Sequence, residues 1–152
     1  MMEFKVTPIR NGTVIDHINC GQALNVLRIL KINEYNVEST VSVLMHVPSK
    51  KMGWKDVVKV EDRELDRNTV DKIALIAPKA TIDIIRDFSV AEKSNVMLSE
   101  RVVGLVRCGN PNCITNKNEP VSPEFDVDNH DPPILRCIYC DRILDNITEN
   151  LI

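Results

Sequence analysis

The chain has 152 residues, 43% apolar and 27% charged, enough apolar material for a real core in one compact domain or two small ones. Lys and Arg number 19 against 22 Asp and Glu, a net charge of -3, which excludes any global attraction to nucleic acid or anionic lipid. The longest apolar runs, such as Ile73 to Ala77, fall far short of the roughly 20 residues of a membrane helix, and the start lacks the apolar stretch of a secretion signal, so the expectation is a cytoplasmic protein.

In chain order, the pattern predicts a strand over Phe4 to Ile9, a turn at Asn11-Gly12 and an extended segment from Thr13 to Ile18. A helix is expected over Gln22 to Ile32, where Ala23, Leu24, Leu27 and Leu30 recur at helical spacing. Two strands follow, Thr40 to Val47 and Asp56 to Val60, with a loop over Pro48 to Gly53. The best-marked element is a second helix with Asp66 as its N-cap, Val70, Ile73, Ala74 and Ala77 on one face, and Pro78 as its stop. Thr81 to Ile85 and Phe88 to Ala91 read as strands. This order predicts an α+β fold: a ferredoxin-like βαββαβ domain whose helices cover one face of a largely antiparallel sheet.

Cysteine usage and charge divide the chain. Cys108, Cys113, Cys137 and Cys140 fall in the last third, while Cys20 stands alone. Residues 1–101 carry 15 basic and 14 acidic groups, and residues 102–152 carry 4 and 8. The aperiodic stretch from Lys93 to Arg101 is the candidate linker, giving expected domains of residues 1–98 and 99–152.

Cys108-x₄-Cys113 and Cys137-x₂-Cys140, with 23 residues between the pairs, have the spacing of two loops that close a tetrahedral Cys₄ shell around Zn²⁺. Such a site has no open position and is structural. A module of about 50 residues is near the size that needs a metal to hold its fold, so zinc binding and folding are expected to be one equilibrium. Four thiolates on Zn²⁺ bring the second part to about -6, which speaks against phosphate binding and for a protein partner. Cys137-x₂-Cys140 alone also fits a redox pair. Cys20 reads as a small packed residue rather than a nucleophile.

In the first part, Lys55 and Lys59 share one side of a strand about 13 Å apart. With His17 and Lys93 they form a candidate cradle for a nucleoside triphosphate; the residues alone favour the plainer reading, a solvated sheet face with Asp16-His17 capping a turn. There is no P-loop and no Gly-x-Gly-x-x-Gly. The three histidines, at 17, 46 and 130, belong to no nucleophile motif, so catalysis is poorly supported. The rival readings are a zinc-ribbon protein that binds nucleic acid and a small-molecule enzyme on the first domain.

Asn11-Gly12-Thr13-Val14-Ile15-Asp16-His17-Ile18, Val47-Pro48-Ser49, Met52-Gly53, Lys55 to Glu61, the Ala77-Pro78 to Thr81 turn and the four-cysteine pattern with Ile114 and Tyr139 together closely resemble the regulatory chain of aspartate carbamoyltransferase, in order and over essentially the whole length. The resemblance implies a non-catalytic allosteric subunit in pyrimidine biosynthesis. Its first domain would form a homodimer and bind CTP and UTP as inhibitors and ATP as activator; its zinc domain would hold catalytic trimers. It implies ribose and base contacts from Asp16 and Lys59, phosphate contacts from His17 and Lys93, and a further basic position at Lys55. Segments near Ile9 and Phe88 would read the base edge. Asn110, Asn112, Tyr139 and Arg142 would face the catalytic chain. Asp83 departs from the family, which often has asparagine there. A carboxylate beside triphosphate oxygens is repulsive unless Lys93 or a cation such as Mg²⁺ intervenes.

Overall fold

The computed structural model describes residues 9–32 and 39–152. The strand expected over Phe4 to Ile9 lies outside these residues except for Ile9, which is buried and sits ahead of the first described strand. Five strands, β1 (Gly12–Ile18), β2 (Val41–Ser49), β3 (Gly53–Glu61), β4 (Thr81–Arg86) and β5 (Ser89–Asn95), and two helices, α1 (Ala23–Ile29) and α2 (Arg67–Ile76), build the first part. The sheet order is β2-β3-β1-β4-β5 and all its pairs are antiparallel. This is the ferredoxin-like arrangement, extended by β5 on one edge.

Alternation assigns the two faces of the sheet. Ile15, Val58, Val60, Ile82 and Ile84 point inward and pack with Ala23, Val26, Leu30, Ile73 and Ala74 of the helical layer. Val14, Asp16, Lys55, Lys59 and Asp83, one residue out of step, take the opposite face. Gly12 opens β1; its φ is +147°, and an added Cβ would lie 2.2 Å from the Val60 carbonyl oxygen. Only glycine permits that approach of β1 to β3.

The helix expected to reach Ile32 ends at Ile29. Lys31 takes a left-handed φ of +57°, its N–H bonds the Arg28 carbonyl, and the Ile32 N–H bonds the Leu27 carbonyl. This is a Schellman ending made without the usual glycine. The α1 start has no side-chain cap of its own; buried Asp56 of β3 accepts from the Gly21 and Ala23 N–H groups instead, at 2.9 and 3.1 Å. Helix α2 begins as expected, with Asp66 Oδ1 accepting from the Thr69 N–H at 2.8 Å. The loop after β2 shrinks to residues 50–52, because β2 runs on through Pro48 to Ser49; an edge strand tolerates the missing proline N–H.

A second, three-stranded antiparallel sheet has the order β6-β7-β8, from β6 (Arg101–Val103), β7 (Glu124–His130) and β8 (Pro133–Cys137). Its core centres on Phe125, Val106, Leu135 and the cysteines. Leu75 of α2 packs into this second core, and Leu98, Ile147 and Leu151 pack against both cores. Among the described residues, no helix is long and apolar enough to cross a membrane.

Candidate metal centre and sheet-face site

The cysteine pairs come from two loops that meet. Cys108 and Cys113 lie in the loop after β6, Cys137 ends β8 and Cys140 occupies the turn beyond it. The four Sγ atoms all lie within 4.8 Å of one another. Cys108 and Cys140 are 3.6 Å apart, and Cys113 and Cys137 are 3.7 Å apart. A tetrahedron with Zn–S bonds of about 2.3 Å has edges of about 3.8 Å, close to the two distances given, so the four clustered cysteines could hold a structural metal such as zinc.

The surrounding chain holds that cage. Asn116 Nδ2 donates to the carbonyls of Cys108 and Asn110 at 2.9 and 2.8 Å, and the Asn112 N–H donates to Asn110 Oδ1 at 3.0 Å. Thr115 Oγ1 donates to Cys113 Sγ at 3.2 Å. Burial pushes the Cys108 thiol up to about 12 and raises that of Cys137. Burial also opposes ionisation of Cys140, but donors from the Arg142 backbone, Asn110 and the neighbouring thiols outweigh it and hold Cys140 down to about 7. Metal binding must therefore displace protons, as it does in thiolate sites generally.

The four residues expected to face a partner lie on this knuckle: Asn112, Tyr139 and Arg142 are exposed and Asn110 is half-buried. The structure adds what the sequence reading missed. Ile114, Ile138 and Ile143, each within three residues of a cysteine, are also exposed, so apolar positions accompany the polar ones. Their placement beside the cysteines was the available signal.

On the first domain, the register puts Ser42, Lys59, Val14, Asp83 and Lys93 in one row across β2, β3, β1, β4 and β5. The row lies on the face away from the helices. Asp83 sits opposite Lys93, yet its Oδ1 is buried without a hydrogen-bond partner. Toward one end of β1, Lys55 Nζ contacts Asp16 Oδ1 at 2.9 Å. Partial burial works against the Asp16 charge, but Lys55 and the His17 N–H, which donates to Oδ1 at 2.6 Å, hold its carboxyl below the usual value.

His17 owes its position to a bulge. The pairing of β1 with β3 shifts between Ile15 and Ile18, and His17 takes a φ of +56°, re-aiming its ring so that Nδ1 lies 3.1 Å from Thr81 Oγ1. Thr81, paired with Asp16 in register, was not singled out from the sequence. Ile9 and Phe88 lie at the other end of β1. The Phe88 N–H donates to the Arg10 carbonyl at 2.9 Å, and the Phe88 side chain is 66% exposed. Six of the eight expected positions thus gather along one sheet face, and Ile9 and Phe88 adjoin its end.

Comparison with known proteins decides the family. The family described as aspartate carbamoyltransferase regulatory chain, allosteric domain, matches residues 4–97, and the metal binding domain of the same regulatory chain matches residues 100–149. The chain belongs to the aspartate carbamoyltransferase regulatory chain family. A regulatory chain from Methanothrix thermoacetophila is 58% identical over 151 residues, covering 99% of this chain and 97% of the relative. One from Methanococcoides burtonii is 58% identical over 152 residues, covering 99% and 94%, and one from Thermoplasma volcanium is 52% identical over 140 residues, covering 92% and 91%. In aspartate carbamoyltransferase the regulatory chain is the non-catalytic subunit, and the family name places it in pyrimidine biosynthesis. The allosteric match covers the sheet face just described, and the metal-binding match covers the sulfur cage.

Proposed function

We propose that this chain is an allosteric subunit that senses nucleotides on the outer face of its five-stranded sheet and passes the signal through its zinc domain to the catalytic chain of aspartate carbamoyltransferase. The observation that carries the reading is the row of Lys59, Asp83 and Lys93 with the Asp16–Lys55 pair and His17 beside it. Among the described residues, Lys59 and Lys93 have no carboxylate within ion-pair reach, so their charges are available to an external anion. Ligands are CTP and UTP as inhibitors and ATP as activator. Asp83 favours the Mg²⁺ form of a triphosphate, because magnesium joins a carboxylate to phosphate oxygens.

Residues 1–98 form the nucleotide-binding domain, which pairs with a second copy as a homodimer. Residues 99–152 form the zinc domain, where Asn110, Asn112, Tyr139, Arg142 and the exposed isoleucines meet catalytic trimers. Zinc holds that surface in shape and takes no part in chemistry. The protein works in the cytoplasm, without nucleic acid or membrane. An effector shifts the catalytic equilibrium by binding two quaternary states unequally, a coupling of about 1–3 kcal/mol.

Calorimetric titration of the zinc-loaded chain with CTP, UTP and ATP, with and without Mg²⁺, tests the sensor. Saturable binding of about one triphosphate per chain, lost in Lys59→Ala, supports the reading. Absence of binding under every condition leaves the chain as a zinc-dependent assembly subunit and removes its nucleotide role.

A further inference from the structure

A second cluster of positive charge lies on the helical side of the first domain, away from the row on the outer sheet face. Arg28 in the last turn of α1, Lys31 just beyond it and Lys72 in the middle of α2 line one cavity of about 230 Å³, with Thr148 and Glu149 of the tail on its wall. Glu149 is the one acid among the lining residues, so the three cations leave an excess of two positive charges. Among the described residues, none of the three has a carboxylate within ion-pair reach. Their partners are neutral: Arg28 Nη1 donates to Asn25 Oδ1 at 3.3 Å, and Lys72 Nζ donates to the Ile152 carbonyl. Arg28 and Lys31 complement the C-terminal end of the α1 dipole; Lys72, in mid-helix, has no such compensation. Burial, and after it the charge of Lys31, hold the Lys72 ammonium below its ordinary value. A cation disfavoured by a neighbouring cation is one that an anion between them would stabilise.

We propose that this cavity is an anion site that takes a doubly charged phosphate group, free or as a monoester, between the two helices and the tail. The excess charge of the lining matches two negative charges, whereas a carboxylate supplies one. The donors suit a tetrahedral oxyanion as well. An ammonium has three N–H donors and Lys72 gives one to Ile152, so two remain; the Arg28 guanidinium has five, and Thr148 adds a hydroxyl. Hydrogen bonds from charged donors to phosphate oxygens are the strong kind. The site is independent of the nucleotide reading of the outer face, because Lys59, Asp83 and Lys93 lie on the other side of the sheet. Its position gives it a structural consequence. Leu151 of the same wall packs against both cores, so an anion held there joins α1 and α2 to the segment that also supports the second domain.

The test titrates the zinc-loaded, isotope-labelled full chain with inorganic phosphate, replacing chloride at constant ionic strength and slightly alkaline pH, and follows the backbone amide resonances. Saturable shifts at Arg28, Lys31, Lys72 and Thr148, sharing one dissociation constant, are expected. Glycerol 2-phosphate separates the two sources: binding at least as tight as that of phosphate marks an esterified ligand, and weaker binding marks free phosphate. Lys72→Gln keeps a donor for the Ile152 carbonyl and removes the charge; it should weaken phosphate binding about tenfold or more with the spectrum of the fold retained. Lys59→Ala, on the outer face, should leave the phosphate constant as it is, so loss of nucleotide binding and loss of this site are read separately. Shifts that never saturate, shifts centred on Lys59 and Lys93, or an unchanged constant in Lys72→Gln would each overturn the proposal.

Discussion

Asp83 and Lys93 face each other across β4 and β5, yet Asp83 Oδ1 is buried with no hydrogen-bond partner. A carboxylate oxygen removed from water without a partner is costly, and an arriving triphosphate adds negative charge beside it. Asp83→Asn removes the repulsion. We expect it to raise affinity for metal-free CTP by about tenfold, the effect of roughly 1.4 kcal/mol, and to narrow the gap between titrations with and without Mg²⁺. Equal Mg²⁺ dependence in the two proteins would take Asp83 out of the phosphate site.

Lys59 shares that row through Val14. Lys59→Ala should weaken CTP binding by about 1.5–3 kcal/mol, the range of a charge-assisted hydrogen bond, while leaving turnover by isolated catalytic trimers unchanged. An unaltered CTP dose curve in the reconstituted holoenzyme would show that the lysine lies off the site.

Cys108, Cys113 and Cys137 are buried in the second core, so the metal and that core stand or fall together. Chelation should abolish amide-exchange protection at Val102, Phe125, Val127 and Leu135 and spare Ile15 and Val58. Cys113→Ser should likewise end co-elution with catalytic trimers on gel filtration. Retained protection after complete zinc removal would refute the coupling.

The Asp16 carboxyl is held below its ordinary 3.8 in the folded chain. Between the folded and unfolded values the unfolded state binds more protons, so the pair's stabilisation is present above the unfolded value and is lost as pH falls through the folded one. Lys55→Met should therefore lower the melting temperature at about pH 6, and the difference should close as pH falls below 3.8 through the folded value. Emission from Trp54, the single tryptophan, reports the first domain alone. A difference independent of pH would mean that Lys55 acts through packing.

Gly12→Ala should destabilise the first domain by about 2–3 kcal/mol, since the new methyl would meet the Val60 carbonyl and force β1 away from β3. Urea unfolding followed by Trp54 emission measures it. A loss under about 0.5 kcal/mol would show that the strands can part freely.

Much of this was legible in the residues. The cysteine spacing announces the metal because its ligands come in two local pairs, and each pair is read within six residues. Asp66, Pro78 and the period of Val70, Ile73, Ala74 and Ala77 mark α2 for the same reason: caps and amphipathic periods are local. The elements that went astray are those whose reasons are distant. Helix α1 ends at Ile29, ahead of a left-handed Lys31 that no glycine announces, and its start is capped by Asp56 of another strand.

Cys20 was read as packed because small apolar character is all that a single cysteine shows; it is exposed and lies beside His46, which a register shift in β2 carries. The sequence by itself determined the family, the order of elements and the four cysteines that could hold a metal, since each rests on residue type and spacing along the chain. Tertiary structure alone decided that Lys59, Asp83 and Lys93 share one row, that bulges turn His17 toward Thr81 and His46 toward Cys20, and that one buried carboxylate ties strand to helix. The physical reason is that sheet order and register join residues far apart in sequence, and no local pattern encodes which strand will lie beside which.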